Sequence, residues 1–318
     1  MPLDHTYAAF VAAAPAATVW HDAAVLEAVC SADQRVSADY VAVREAGALV
    51  GVLPFCRKAR LDGWTVMMPP LLRYCGPVFD AAWLREVGAA AALERLWAVL
   101  PRGYRSFDQS WGPGAFPPEV VRAAGWRGGV RERRTHRIDL SAGEDAATAG
   151  RSKRMRKDLR RAGERLTSDF SVHVDAEVHD VLEAPYRRQN MPTPYSRAVV
   201  DALFRELGPR GRICCARLRD GGGDLKAAAV YLADGHTGYA FLAGAEAEAR
   251  KYSGGNYAVA LGPEWAAGRG LGGFDFLGSD MVGIADTLRR MGGVATGYGH
   301  LSHDAAAWAR AVRWWRGR

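Results

Sequence analysis

The chain has 318 residues, 49% hydrophobic and 24% charged, which supplies a sizeable core and length for two domains and excludes a disordered polymer. Its formal net charge of +7 favours an anionic partner such as RNA, coenzyme A or a nucleotide-linked substrate. No apolar run approaches the roughly 18 residues a membrane-crossing helix needs, and Asp4 and His5 stand where a secretory leader would be cationic, so a soluble cytoplasmic monomer is expected.

In chain order, Tyr40 to Phe55 reads as two strands joined by a turn around Glu45 to Ala48, followed by a strand at Trp64 to Met68. An alanine- and leucine-rich helix over Leu84 to Leu100 leads to a strand ending in Phe107-Asp108. Val130 to Leu140 reads as another strand. Arg151 to Leu166 follows as a basic amphipathic helix with Met155, Leu159 and Leu166 at helical spacing. The same series then repeats. A hairpin over 211–232 turns at Asp220 to Asp224, and a strand at Thr237 to Ala243 and a helix at Tyr257 to Gly268 lead to a strand ending in Phe274-Asp275. Asp304 to Arg318 closes the chain as a helix with Trp308, Ala311, Val312 and Trp315 on one face. The five cysteines, Cys30, Cys56, Cys75, Cys214 and Cys215, lack ligand spacing and read as buried reduced thiols. The eight scattered histidines suggest no metal site.

Hairpin, strand, helix, strand, present twice, is the core order of the acetyltransferase-like α/β fold. Trp20-His21, Val50-Gly-Val-Leu-Pro54, Thr135-His-Arg-Ile-Asp-Leu140 and the basic helix carry a wider likeness in the first part of the chain. Tyr239 to Ala245, Tyr252-Ser-Gly-Gly255, Gly270 to Gly278 and Met291-Gly-Gly293 continue it. Together they resemble the Fem family and the CelD-like acetyltransferase group over nearly the whole chain. The resemblance implies an α/β fold of two tandem GNAT (acetyltransferase-like) domains facing across a cleft. The first would span 1–145, with the helix at 304–318 packed on it, and the second 146–303, opening with the basic linker helix at about 151–166. It also implies transfer of an amino acid from aminoacyl-tRNA to the amine of a small peptide-like acceptor, a peptidoglycan precursor or a natural-product intermediate, with no cofactor beyond the donor. Acyl-CoA-dependent N-acylation is the alternative, and an RNA-binding module without catalysis is a third reading.

Eight cations of the basic helix, Arg151, Lys153, Arg154, Arg156, Lys157, Arg160, Arg161 and Arg165, read either as contacts to a phosphate backbone or as the solvated face of a linker. In single-domain relatives an Arg/Gln-x-x-Gly-x-Gly/Ala loop at a helix N-terminus holds the coenzyme A pyrophosphate. The corresponding stretch here, Arg250 to Asn256, has Ser253 at the first glycine position, followed by Gly254 and Gly255. It suits coenzyme A imperfectly, and a loop for the tRNA 3′ end or a plain turn fits as well. Aminolysis of an activated ester needs a neutral amine, oxyanion stabilisation and a proton route, and no protein nucleophile. Asp108 and Asp275, expected at matching strand ends, are candidates for orienting the acceptor ammonium or taking its proton, or are strand-end residues. Arg289 and Arg290 fall near a family segment that places a cation by the acceptor end of tRNA, as candidates for charge stabilisation. Arg187, Arg188 and Tyr195 flank the loop Gln189 to Pro194, and Tyr239 and Tyr252 flank the second domain's expected cleft, all as candidates for substrate contacts.

Overall fold

A computed structural model describes residues 1–31, 35–60, 63–101, 104–278 and 281–304. The chain begins with helices α1 (His5–Ala13) and α2 (Ala23–Cys30) and strands β1 (Val36–Glu45), β2 (Ala48–Arg60), β3 (Gly63–Met67) and β4 (Val78–Phe79). Then come α3 (Ala81–Val87), α4 (Ala89–Val99), β5 (Tyr104–Trp111), α5 (Pro118–Ala123), β6 (Gly129–Asp139), α6 (Ala146–Ala149) and α7 (Lys153–Gly163). After β7 (Thr167–Ser171), α8 (Ala176–Arg188) and α9 (Arg197–Leu207) lie β8 (Ile213–Arg219), β9 (Leu225–Ala233) and β10 (Thr237–Ala245). The described chain closes with α10 (Gly254–Ala267), β11 (Gly273–Asp275), α11 (Val282–Arg290) and β12 (Val294–Asp304). Among the described residues no helix is long and apolar enough to cross a membrane.

The chain divides into two compact units, Met1–Arg133 with the stretch from Gly297 onward, and Arg134–Thr296. The division thus comes before the expected boundary at 145/146, because Arg137, Ile138 and Asp139 pair with β11 and belong to the second unit's sheet. The expected closing helix at 304–318 lies outside the described residues except for Asp304, which ends β12 opposite Ser106.

In the first unit the β1–β2 hairpin turns through Ala46 and Gly47, both at positive φ (47° and 86°), in a two-residue loop whose twist matches that of the strands. β3 pairs antiparallel with β2, and the chain crosses over α3 and α4 to β5, which lies parallel to β3. The expected single helix is two, meeting at Gly88, with Asp80 capping the first through the Trp83 N–H at 2.8 Å. β12 completes this unit antiparallel to β5. Leu53, Phe55, Leu93, Leu96, Phe107, Trp111 and Leu301 form its core. Cys30 and Cys56 are joined as a disulfide, against the expectation of reduced thiols, whereas Cys75, Cys214 and Cys215 are buried and free. Burial pushes the Cys214 and Cys215 thiols up to about 11 and about 12.

The second unit repeats the plan. β8 and β9 form a hairpin whose turn is held by Asp220 Oδ1, which accepts the N–H groups of Gly222 and Asp224 at 3.0 and 3.1 Å. β10 follows antiparallel, α10 crosses over, β11 runs parallel to β10, and β6 lies antiparallel to β11. β7 pairs with β8 at the other side. Met155, Leu159, Leu218, Tyr231, Leu261, Phe274 and Phe276 belong to the core here, so α7 and α10 share it with the sheet.

Candidate functional site

In the second unit β10 and β11 pair over only three residues, from Thr237↔Gly273 to Tyr239↔Asp275. Beyond Tyr239, among the described residues, β10 continues to Ala245 on β9 alone, with a bulge between Ala240 and Leu242. Residues Ala240 to Leu242 are half-buried and Ala243 is exposed, so the sheet opens where most central strands are covered. The chain then makes a 3-10 turn over Ala249–Tyr252 and enters α10 through Ser253, which adopts the left-handed conformation at φ 65°. No side chain caps α10, so its first backbone N–H groups point into the loop Tyr252 to Gly255 without a side-chain acceptor. Ser253 holds the backbone conformation that glycine favours at that position of the loop.

α7 runs alongside this loop. Ser152 caps it by accepting the Met155 N–H at 3.2 Å, and Met155, Leu159 and Ala162 turn inward. Lys153, Arg154, Arg156, Lys157, Arg160 and Arg161 are exposed. Arg154 lies 3.9 Å from Asp158 and Arg160 lies 3.8 Å from Glu164, surface pairs of small energetic worth. Among the described residues Lys153, Arg156, Lys157 and Arg161 have no ion-pair partner. Arg151 is corrected: its guanidinium is nearly buried and donates to the Ala260 carbonyl and the Glu264 carboxylate, both at 2.6 Å, so it is a strut from α7 to α10 and not a nucleic-acid contact.

The two ends of α7 touch two other groups of candidates. At its start the Ser152 N–H donates to the Arg290 carbonyl at 2.9 Å, and Gly150 packs so closely on Gly292 that a Cβ on Gly150 would lie 2.9 Å from the Gly292 Cα. Past its end the Arg165 guanidinium sits over the Tyr252 ring, 5.4 Å from the centroid. A helix of 11 residues is about 16 Å long. Arg289 and Arg290, the outward cations of α7 and the loop Tyr252 to Gly255 therefore form one basic track. Arg289 and Arg290 both also pair with Asp286, Arg289 at 2.6 Å.

The carboxylate candidates part company. Asp275 ends β11 and is 1% exposed. Its Oδ1 accepts the Thr135 hydroxyl at 2.6 Å and the Leu277 N–H at 2.8 Å, and Arg137 stands 3.8 Å from Oδ2, so it fastens the turn after β11 to β6 and is not presented to a substrate. Asp108 does not end its strand, because β5 continues to Trp111, and its side chain is 41% exposed in the first unit.

Arg188 donates to the Ala245 carbonyl at 2.6 Å and Arg187 pairs with Glu246 at 3.5 Å, so both anchor α8 to the end of β10. The Tyr195 hydroxyl donates to the Leu182 carbonyl at 3.3 Å, and that of Tyr239 donates to Asp234 at 2.6 Å beneath the surface. Burial raises both phenols above their ordinary value. These two tyrosines are packing residues, whereas Tyr252 lies in the loop itself. Arg165, read in the sequence with the basic helix, continues the charge of α7 beyond Glu164. Sequence reasoning left His136 unassigned. Burial depresses that imidazole below its ordinary value, and the nearby charge of Arg289 adds to the effect.

A family model described as an acetyltransferase (GNAT) domain matches residues 149–282, the region that holds α7, β10 and α10. No curated protein matches the sequence. Among solved structures, FemX is similar at 14% identity and a TM-score of 0.68, covering 94% of this chain and 96% of its own. The C-terminal domain of a putative lysylphosphatidylglycerol synthetase from Agrobacterium fabrum is similar at 16% identity and a TM-score of 0.56, with 92% and 90% covered. A tandem GNAT protein from the clavulanic acid biosynthesis pathway is similar at 13% identity and a TM-score of 0.50, with 95% and 93% covered.

Proposed function

Because the chain has the Fem-like fold of two acetyltransferase-type units, we propose that it is a transferase that moves an aminoacyl group from charged tRNA to the amine of a peptide-like acceptor. The basic track along α7 carries this reading. Its outward cations join the Arg289-Arg290 end of α11 to the uncapped start of α10, a run of charge suited to a phosphate backbone rather than to one pyrophosphate. The donor ester is already activated, so the protein's part is alignment and charge stabilisation, and no further cofactor is needed. A charged-tRNA donor places the reaction in the cytoplasm, and an amine of a natural-product intermediate or a peptidoglycan precursor is the acceptor.

The left-handed turn at Ser253 favours a second reading, acyl-CoA-dependent N-acylation, because it keeps the loop shape that presents backbone N–H groups to a pyrophosphate. Donor binding separates the two. If about four cations of the track contact phosphates, a rise from 50 to 200 mM salt weakens binding of a charged-tRNA pool about fiftyfold. Binding of coenzyme A with no affinity for tRNA would overturn the aminoacyl reading.

A further inference from the structure

The second unit's sheet carries helices on both faces. Leu218 of β8 and Ala227, Ala229 and Tyr231 of β9 face the core shared with α7 and α10. Side chains alternate along a strand, so Arg219, next to Leu218, lies on the other face, where it donates to Glu177 of α8 at 2.7 Å. There α8 and α9 run antiparallel, tied by His179 to Asp201 at 2.7 Å and by Arg197 to Glu183 at 2.9 Å. A cavity of about 640 Å³ opens at the end of this helix pair away from the loop Gln189 to Pro194. Phe204, almost wholly buried, forms its floor, and Val172 and Val174, between β7 and α8, line it from the facing segment. Gly208 lets helix and segment meet at one end, since a Cβ there would lie 3.1 Å from the Val172 carbonyl oxygen.

Two opposite charges of α9, Asp201 and Arg205, also line the cavity, one helical turn apart. Charges at that spacing commonly pair with each other. Here they do not. Asp201 Oδ1 is held by the buried His179, and Arg205 Nε lies 3.5 Å from Glu206. Among the described residues Asp201 Oδ2 and the terminal nitrogens of Arg205 meet no partner, and the two side chains are 51% and 71% exposed. The cavity therefore offers one anion and one cation, held apart, above an apolar floor.

We propose that it binds a free α-amino acid with a large apolar side chain. The Arg205 fork takes the carboxylate in two parallel N–H···O bonds, and Asp201, oriented by His179, accepts the ammonium. The side chain covers Phe204 and the two valines, which takes apolar surface out of water on both partners. His173, on the facing segment, supplies a further N–H donor. A lone ion would use one of the two charges and leave the floor wet, and a wholly apolar ligand would cover Asp201 and Arg205 without satisfying them. The volume lies within the range of small-molecule sites, roughly 300 to 1,000 Å³. The cavity is on the sheet face opposite α7 and α10, so its occupancy does not depend on which donor the transferase uses.

Titration calorimetry of the full chain with L-phenylalanine and L-leucine, beside L-phenylalaninamide and N-acetyl-L-phenylalanine, tests the site. One molecule of phenylalanine or leucine should bind and raise the melting temperature, and each blocked form should bind about tenfold more weakly or worse. Arg205→Gln should weaken phenylalanine about tenfold and leave the amide unchanged, since the amide has no carboxylate to lose. Asp201→Asn, which keeps an oxygen for His179, should weaken phenylalanine and spare the N-acetyl form. If Asp201→Asn lowers the melting temperature of the free protein, the exposed Arg205→Gln alone decides. Replacing Arg154, Arg156, Lys157 and Arg161 together by Ala should leave phenylalanine binding as in the wild type. No binding of either amino acid up to about 10 mM would overturn the proposal. So would equal binding of the blocked forms, or binding that Arg205→Gln leaves unchanged.

Discussion

Ser253 occupies a left-handed backbone conformation, φ 65°, at the residue that leads into α10. An L-residue with a side chain pays roughly 1 to 2 kcal/mol there, and glycine escapes most of that while losing some unfolded-state entropy. Ser253→Gly should therefore raise stability by up to about 1 kcal/mol, seen as a higher urea midpoint with an unchanged slope. A lower midpoint would show that the hydroxyl makes a bond worth more than the strain. Asp275 gives the opposite case. Its carboxylate satisfies the Thr135 hydroxyl and the Leu277 N–H below the surface, so Asp275→Ala strands both donors and should destabilise the protein by about 2 kcal/mol, with Asp275→Asn milder. The glycine gap at Ser253 could be read in the sequence as a departure from the loop pattern. The fate of Asp275 could not, since its partner Thr135 lies 140 residues away on β6.

At the scale of elements, α7 shows how one stretch of charge divides between structure and function. Arg151, before the helix, is nearly buried against α10, while the cations from Lys153 to Arg161 lie outside. Replacing Arg154, Arg156, Lys157 and Arg161 together by Ala should weaken charged-tRNA binding and flatten its salt dependence, with the melting temperature within a few degrees of the wild type. Arg151→Ala should instead lower stability by about 1 to 3 kcal/mol, because it removes the guanidinium and leaves the Ala260 carbonyl and the Glu264 carboxylate without their donor. Equal effects of the two changes on tRNA binding at matched stability would show that the track does not hold RNA. The amphipathic period made α7 itself legible, since Met155, Leu159 and Ala162 all turn inward. Its neighbours were not legible, because the contacts of Ser152 with Arg290 and of Arg165 with Tyr252 depend on tertiary packing that no local pattern encodes.

Across the whole molecule the doubled hairpin, strand, helix, strand order was readable because each piece has local turn and period signals. The strand that completes each unit was harder to place. β12 reads Val-Ala-Thr-Gly-Tyr-Gly-His-Leu-Ser-His-Asp, broken by glycines, and its partner β5 is distant, with 190 residues between Ser110 and His300. The second unit's completing strand, β6, carries the buried His136, and this gives the molecule a pH response. The folded state holds that imidazole below its ordinary value, first through burial and then through the charge of Arg289. At pH values between the folded value and the unfolded value of about 6.5, the unfolded chain binds more protons, so stability rises with pH through that window. The contribution is complete above about pH 6.5 and is lost as the pH falls toward the folded value. Urea midpoints measured from pH 7.5 down to pH 5 should therefore fall in the wild type and fall less in His136→Gln. Arg289→Gln should shift the loss to lower stability cost by removing the second cause while leaving the burial cause in place. If wild type and His136→Gln lose stability in parallel, the acid sensitivity belongs to carboxylate ion pairs such as Glu177 of α8 with Arg219 of β8, and not to this histidine.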